Sequence, residues 1–552
     1  MNKSIAVLSI LFLSALATVS VAQKRSPYTT GKNITTSVYQ PVDIVFTVAK
    51  LPAGNPFDII FGALVTHSSG KSYTIHGFYN GDMEYVLRFS PEAEGEYRFQ
   101  TFSAVNKLSA LNGVITASPN ANPDIHGQVK VASSHRQKFI YQDGTPYFSL
   151  AFELDWLFAL DIDNKSGIPK TTEIVDAARA NGFNQIVLNV YAFETLWKTD
   201  ATVPKQYSFK DPSYSVFMGS NEKPQFDKLN VPFFKHFDRV IQHLHERGIA
   251  AHMMIYVWNK KVNWPAMYSA DDNRYYDYII KRYQSYPNVI WDVSKEALDY
   301  GRCDIPYINE RIERTRRLDT YNHLITVHDY EYCSREPDKV DFISIQNWRP
   351  DLYSLSLEAY LRHSDKPVMN IEHGGYEEGP YSTFTGNYTN AEVCLERTYA
   401  CLFAGVYGSY YWQNTSWDIV IYDIMRQGQT IQKPRFDYYK HMQKLFTAYD
   451  YTKLNPHKPK LTTNSNPGND NLAFSGYALS DDKGLYLFYV PGYNYNVYTN
   501  IPTPKSGQVM SSWFNIFSGD TTPVVTGKGG GFGMYTSPWK GQSAVLILSA
   551  VE

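Results

Sequence analysis

Cysteine is scarce in this chain, with only Cys303, Cys333, Cys394 and Cys401 among 552 residues. So few thiols exclude a disulfide-built scaffold, and their spacing matches no recognised metal site. An excess of charge of one sign is also missing. Lys and Arg number 52 against 54 Asp and Glu, giving a formal net charge of −2, and no long basic run occurs. A phosphate-reading surface is therefore not expected, and nucleic acid is excluded as the natural partner. Beyond the N-terminal segment no uninterrupted apolar run reaches membrane-spanning length, so membrane insertion is not expected. The chain has no G-x-S-x-G nucleophile elbow, no Gly-rich phosphate loop after its first β/α strand and no tandem repeat, which argues against a serine hydrolase, a nucleotide-binding enzyme and a solenoid. His236, His243 and His245 share one helical stretch without acids at ligand spacing. A solvated helix face is the expectation there, with no metal and no other cofactor.

Aromatic residues, by contrast, make up 15% of the chain, and 44 of them are Tyr. Tyr packs its ring while keeping a hydroxyl wet, which suits an uncharged, hydroxyl-rich partner as well as β-strand packing. Residues 1–22 open with Lys3, run apolar from Ile5 to Leu16 and end in Ser20-Val21-Ala22. That is the pattern of a cleavable signal peptide, so the mature chain is expected to be exported to the periplasm or the extracellular space.

Three folding units are expected in the remainder. Residues 23–125 alternate in short runs broken by Gly, Pro and Asn (Val42 to Val48, Asp58 to Val65, Lys71 to Phe78, Glu84 to Phe89, Glu96 to Phe102), the pattern of a β-sandwich. Over residues 126–455 apolar strands alternate with amphipathic helical stretches. Eight strand candidates occur: Tyr147 to Phe152, Phe183 to Tyr191, Ile249 to Val257, Val289 to Val293, Leu324 to Val327, Phe342 to Gln346, Pro367 to Ile371 and Gly408 to Trp412. Eight β/α units in order predict an α/β fold, a (β/α)8 TIM barrel whose site lies on the C-terminal ends of its strands. Leu196 to Pro232, long and aromatic-bearing, is placed to wall that site. Residues 456–552 read as a second β-sandwich, so the barrel is flanked on both sides.

Two carboxyls stand where such a barrel does chemistry. Glu296 follows the fourth strand and Glu372 the seventh. Two carboxyl groups about 5 Å apart, one protonated and one ionised, are the requirement for cleaving a glycosidic bond with retention. Asp299, Glu377 and Glu378 lie further into loops, where geometry is less tightly held. The two strands resemble the acid/base and nucleophile strands of the large clan of retaining (β/α)8 glycosidases, and Trp412 falls where that clan often places an aromatic sugar platform. Gly77-Phe78-Tyr79-Asn80-Gly81, the barrel entry Glu153-Leu154-Asp155-Trp156-Leu157 and a Gly-rich C-terminal sandwich resemble bacterial glycosidase-like proteins with a DUF5060-type N-terminal domain and a DUF4038-like barrel. The resemblance implies Glu296 as acid/base, Glu372 as nucleophile and a poly- or oligosaccharide as substrate. It covers nearly the whole mature chain.

One position departs from the clan. Asn usually precedes the strand-four Glu and bonds the sugar 2-hydroxyl, whereas this chain has Lys295. A cation there can meet an acidic sugar, lower the pKa of Glu296 or point outward in a local rearrangement, and it is the main argument for the rival reading, a catalytically silent carbohydrate-binding barrel. Strand ends supply further candidates for sugar contact: Glu153, Asp155 and Trp156 after the first strand, Asn189 and Tyr191 after the second, and Tyr256, Trp258 and Asn259 after the third. His328 and Tyr330 follow the fifth, Asn347 and Trp348 the sixth, His373 the seventh and Trp412 the eighth. Cys303 and Cys333 follow neighbouring strands and are expected to approach bridging distance in an oxidising compartment. Cys394 and Cys401, seven apart on one helix, are too far apart to bridge each other. The sequence leaves the oligomeric state, sugar identity and linkage open.

Overall fold

The structure, a computed structural model, describes residues 33–193, 212, 214–374, 376–377, 388–412, 434–457, 462–463, 477–493 and 496–551. The signal-peptide segment, Glu378 and most of the first half of the Leu196 to Pro232 insertion lie outside the described residues.

The centre is a (β/α)8 barrel. Its strands in chain order are β1 (Ala151–Glu153), β2 (Gln185–Asn189), β3 (Ala250–Val257), β4 (Val289–Lys295), β5 (Ile325–His328), β6 (Ile343–Gln346), β7 (Val368–Glu372) and β8 (Tyr407–Tyr410). They pair in parallel in the order β5-β4-β3-β2-β1-β8-β7-β6. The two ends of that ladder meet: Asp341 N–H donates to the Ile325 carbonyl at 2.8 Å, and the Thr326 hydroxyl reaches the Phe342 carbonyl at 3.0 Å and Ser344 Oγ at 2.9 Å.

Among the described residues the strands alternate with α1 (Pro169–Ala180), α2 (Val231–Glu246), α3 (Ala270–Tyr283), α4 (Ile305–Leu318), α5 (Tyr330–Arg335), α6 (Leu352–Arg362), α7 (Ala391–Phe403) and α8 (Phe436–Ala448). Local chemistry starts several of them. Ser269, Asp304, Asp329 and Asn390 accept backbone N–H groups at the N-termini of α3, α4, α5 and α7. In α2, Phe233, Phe234, Phe237, Val240, Ile241 and Leu244 recur at helical spacing and are all buried. The short α5 was not expected, because six residues carry too little periodicity to be seen.

Around residues 33–118 two antiparallel-rich sheets face each other, one holding Phe61–His67, Ser72–His76, Gly95–Ser103, Asn112–Ser118 and Asn33–Ser37, the other Val42–Thr47, Glu84–Phe89 and Phe78–Tyr79. Arg88 locks this sandwich to the barrel. Its guanidinium pairs with Asp43 at 2.7 Å and, across the interface, with Asp238 of α2 at 3.1 Å. C-terminal to α8, a six-stranded and a three-stranded sheet form the second sandwich.

Two expectations are corrected. The three histidines of α2 do not form a solvated face: His236 is buried with Nε2 2.8 Å from the Phe158 carbonyl, and His245 is buried with its pKa pushed down to about 4 by desolvation. His245 also meets the Tyr286 ring edge-on. Cys303 and Cys333 are free thiols, as are Cys394 and Cys401. Cys333 lies on α5 and donates to the Val327 carbonyl at 3.2 Å, so the helix turns its thiol back onto its own strand. Burial pushes both thiols up to about 12, which leaves almost no thiolate. Iodoacetamide is therefore expected to modify none of the four in the native protein and all four after denaturation without reductant, read by mass. A loss of two alkylation sites in the denatured sample would overturn this.

Candidate active site

Strict alternation along β4 and β7 does not bring both glutamates inward. A β-bulge does. On β4, Asp292 pairs with Thr326 but Lys295 pairs with His328, three residues against two; on β7, Asn370 pairs with Ile345 but Glu372 pairs with Gln346, two against one. Asn370 points away from the barrel axis toward Cys401 of α7, while Met369 faces Gln185 inside. The extra residue then turns Glu372 inward, where alternation from Met369 would have sent it out. Glu296, just past β4, has φ 54°, the left-handed region that costs a non-glycine residue, and its N–H is held by the His328 carbonyl at 2.9 Å. Asp329, capping α5, accepts the Leu298 N–H at 2.8 Å and so pins the loop that follows Glu296.

These distortions bring the carboxyls together. One oxygen of Glu296, one oxygen of Glu372 and one ring nitrogen of His328 all lie within 4.8 Å of one another. Gln346, which the sequence reading did not single out, donates its amide to Glu296 Oε1 at 3.1 Å and to Glu372 Oε2 at 2.7 Å. His328 Nε2 stands 3.2 Å from Glu372 Oε1. Burial, followed by the nearby Glu372 charge, raises the pKa of Glu296 above the ordinary carboxylate range. Tyr300, also not anticipated, feels the same pair: burial first, then Glu296 and Glu372, push its hydroxyl up to about 12.

Lys295 does not point outward. Its buried ammonium sits 2.6 Å from Glu153 Oε1, 3.0 Å from Glu372 Oε1 and 3.5 Å from Asp155 Oδ2. Lys260, a second ammonium the sequence reading passed over, lies 3.6 Å from the same Asp155 oxygen and 5.5 Å from the Trp156 ring centroid. Glu153 is held well above the usual carboxylate range, by burial first and by the Asp155 and Glu372 charges against the opposing pull of Lys295. Glu296, His328 and Glu372 have the donors for a metal ion, but the Lys295 ammonium and the Gln346 amide already address the same carboxylate oxygens, and a cation there would face both.

Asn189 joins this group from β2, its side chain wholly buried and without a hydrogen-bond partner. Asn259 is buried close to Lys260 in sequence, its Oδ1 likewise unpaired. Other candidates have structural partners. Tyr256 donates to Asp272 of α3 and stacks on Trp258, whose indole N–H donates to Ser294 Oγ at 2.8 Å. Tyr191 packs against Phe158, Phe233 and Trp264. His373 is buried beside Thr398 of α7, and desolvation first, then Arg397, pushes it down to about 3. Asn347 extends the pairing of β6 with β7 by donating its N–H to the Glu372 carbonyl at 3.0 Å. Tyr330 starts α5, Trp348 packs over Gly374, and Trp412 is fully buried at the end of β8. Of the alternative acids, Asp299 is exposed, and Glu377 is buried between the Tyr410 hydroxyl and the Arg435 N–H, pushed up to about 7 by desolvation. A cavity of about 340 Å3 opens elsewhere, at the N-terminal end of the barrel between Phe148, Asn184 and Tyr451. Its charged groups are already paired, His126 with Asp143 and Arg179 with Asp124.

Comparison with known families decides what this barrel is. The profile described as Apiosidase-like, catalytic domain, matches residues 133–453, more than half of the chain. The chain belongs to this family. The sandwich preceding the apiosidase-like barrel matches DUF5060, a domain of unknown function, over residues 35–104. No curated protein matches the chain. Among solved structures, one from Bacteroides vulgatus described as a candidate glycoside hydrolase superposes with TM-score 0.72 at 20% identity, covering 94% of this chain and 100% of that one. A second from the same organism, described as a glycoside hydrolase of family 5, gives TM-score 0.55 at 16% identity over 77% of this chain and 93% of that one. At these identities they share the fold. With the family match, the apiosidase-like chain is a glycoside hydrolase acting on carbohydrate.

Proposed function

We propose that this glycoside hydrolase is exported and cleaves its substrate with retention of configuration, Glu372 attacking the anomeric carbon and Glu296 serving first as acid and then as base. The observation that carries the reading is the carboxyl separation: oxygens of Glu296 and Glu372 lie within 4.8 Å, close to the ~5 Å spacing of double displacement and well short of the ~6.5–9.5 Å that leaves room for an attacking water. Electrostatics favour the same division of labour. Glu296 holds its proton more tightly than an ordinary carboxyl because it is buried and faces another carboxyl. Glu372 has the Lys295 ammonium at 3.0 Å and the Gln346 amide at 2.7 Å, both of which stabilise its ionised form.

In the first step the Glu296 proton passes to the leaving oxygen as the Glu372 carboxylate forms a glycosyl ester. In the second, water attacks the same carbon, giving its proton to Glu296 as the ester breaks. Proton NMR of the first anomer released from a cleaved aryl glycoside is expected to show the configuration of the substrate. Release of the opposite anomer would establish inversion instead. Export is tested separately by sequencing the mature N-terminus, expected at Gln23.

A further inference from the structure

The interior of this barrel carries a polar chain where branched apolar side chains ordinarily fill the layers. The Tyr147 and Ser149 hydroxyls donate to Gln185 Oε1 at 3.0 and 2.9 Å, which leaves the Gln185 amide N–H to reach His252 Nδ1 at 3.0 Å. His252 Nε2 then carries the hydrogen that it gives to Asp292 Oδ2 at 2.9 Å. Gln185 of β2, His252 of β3 and Asp292 of β4 are all buried to within 2%. Such a chain adds little to stability over apolar side chains of the same shape, so its presence asks what it holds.

The chain ends on the bulge of β4. Asp292 Oδ1 accepts two backbone N–H groups, from Ser294 at 3.2 Å and from His328 of β5 at 2.9 Å. Ser294 belongs to the stretch left out of the pairing with β5, where Asp292 pairs with Thr326 and the next pair is Lys295 with His328. A bulge frees N–H groups from the ladder, and buried ones need another acceptor. Asp292 supplies it, while the Ser294 hydroxyl takes the Trp258 indole N–H at 2.8 Å. Alternation from Asp292 would send Lys295 outward, yet past the bulge its ammonium stands 3.0 Å from Glu372. His328 gives its N–H to Asp292 and accepts the Glu296 N–H on its carbonyl, and its ring nitrogen lies 3.2 Å from Glu372.

We propose, building on the retaining reading above, that Asp292 is a positioning residue for the reaction. It holds the β4 bulge and so delivers Lys295 and His328 to Glu372 and fixes the backbone of Glu296, with His252 locking it in place through its far oxygen. Among the described residues its carboxylate bonds only His252 and the two N–H groups, so it acts through the backbone. Groups displaced by about 1 Å lose on the order of 100-fold in rate, and the loss falls on kcat when the contacts that bind the ground state stay in place.

The test uses the full mature chain and whichever aryl glycoside it cleaves. Asp292→Ala is expected to lower kcat by about 100-fold with KM changed by less than about threefold. Asp292→Asn keeps an oxygen for the two N–H groups and should recover at least about tenfold of that loss. In a Lys295→Met background the alanine substitution should cost less than about tenfold more, because the bulge no longer has an ammonium to deliver. Circular dichroism and thermal melting report folding. Should the alanine variant not fold, Asp292→Val fills the same volume without an acceptor and carries the same expectations. His252→Leu, at the far end of the chain, leaves the acceptor in place and should cost kcat about tenfold, again less in Lys295→Met. Activity of Asp292→Ala within threefold of wild type, equal losses in Asp292→Ala and Asp292→Asn, a loss confined to KM, or losses that multiply fully with Lys295→Met in the variants that fold would overturn the proposal. The anomer released by the wild type keeps the two levels apart. An inverted product with losses that do not multiply removes the retaining reading and leaves the positioning role; a retained product with fully multiplying losses does the reverse.

Discussion

Replacing Glu372 by alanine is expected to lower kcat/KM by roughly 10^5-fold on every substrate, whatever its leaving group, because the bond that makes the covalent intermediate can no longer form. Glu296→Ala should behave differently. An activated aryl leaving group departs with little protonation, so glycosylation of that substrate survives while poor leaving groups lose about 10^2 to 10^4-fold. Deglycosylation then lacks its base, and the glycosyl ester should accumulate to a mass visible on the intact protein. Azide, which attacks without losing a proton, should restore turnover in both variants with opposite stereochemistry: retained for Glu296→Ala, inverted for Glu372→Ala. Exchange of the two outcomes would reverse the assignment.

The pH dependence follows from the same pair. Because burial and the neighbouring Glu372 raise Glu296, its acid form should persist to higher pH than an ordinary carboxyl, and the alkaline limb of kcat/KM should report that group. In Glu296→Ala, assayed on the activated substrate, this limb should disappear.

The barrel was legible because eight apolar runs and their amphipathic partners each carry a period, and the observed β2, β3 and β6 fall within a residue or two of the expected strands. The two glutamates stood out in the sequence because strand ends are where barrels concentrate chemistry, and the fold brings their carboxyl oxygens within 4.8 Å. How they come to face one another could not be read there. Alternation from Met369 would send Glu372 outward, and only the bulge between β6 and β7 turns it in; a bulge adds a residue to the ladder without leaving a mark in composition or period. Gln346 was missed for a related reason. It ends an apolar strand as an unremarkable amide, and its role appears only when β6 and β7 are paired in register. Aromatic residues misled in the other direction. Tyr256, near the end of β3, was a candidate for sugar contact, yet its hydroxyl goes to Asp272 and its ring stacks on Tyr276 of α3. The Cys303–Cys333 expectation failed because Cys333 lies on the short α5, not on a loop, and the helix turns its thiol onto the Val327 carbonyl.

Lys295→Met is expected to lower kcat/KM at neutral pH by about 10^3-fold and to move its acidic limb to higher pH. The argument is one of charge count. Four carboxyls, Glu153, Asp155, Glu296 and Glu372, converge on two ammonium groups, and Lys295 is the one that touches three of the four by direct contact or close approach: Glu153 at 2.6 Å, Glu372 at 3.0 Å and Asp155 at 3.5 Å. With Lys295 gone, ionising Glu372 would place its charge beside Asp155 with only the more distant Lys260 in compensation. The nucleophile would then be ionised only at higher pH, which fixes the direction of the shift. Breaking a buried pair on one side also costs roughly 3–5 kcal/mol, so a lower melting temperature should accompany the change. Following the fold spectroscopically over the same pH range separates the two effects, because acid unfolding would also remove activity at low pH. Lys295→Asn, which restores the residue usual in the wider clan, should fare no better, because Glu153 and Asp155 would remain without the ammonium. Pairing it with Glu153→Gln removes one acid together with the cation and should recover about tenfold of the lost rate. An unshifted acidic limb in Lys295→Met would show that the ammonium only holds Glu153 and Asp155 in place, and that Glu372 is kept ionised by the Gln346 amide and His328 instead.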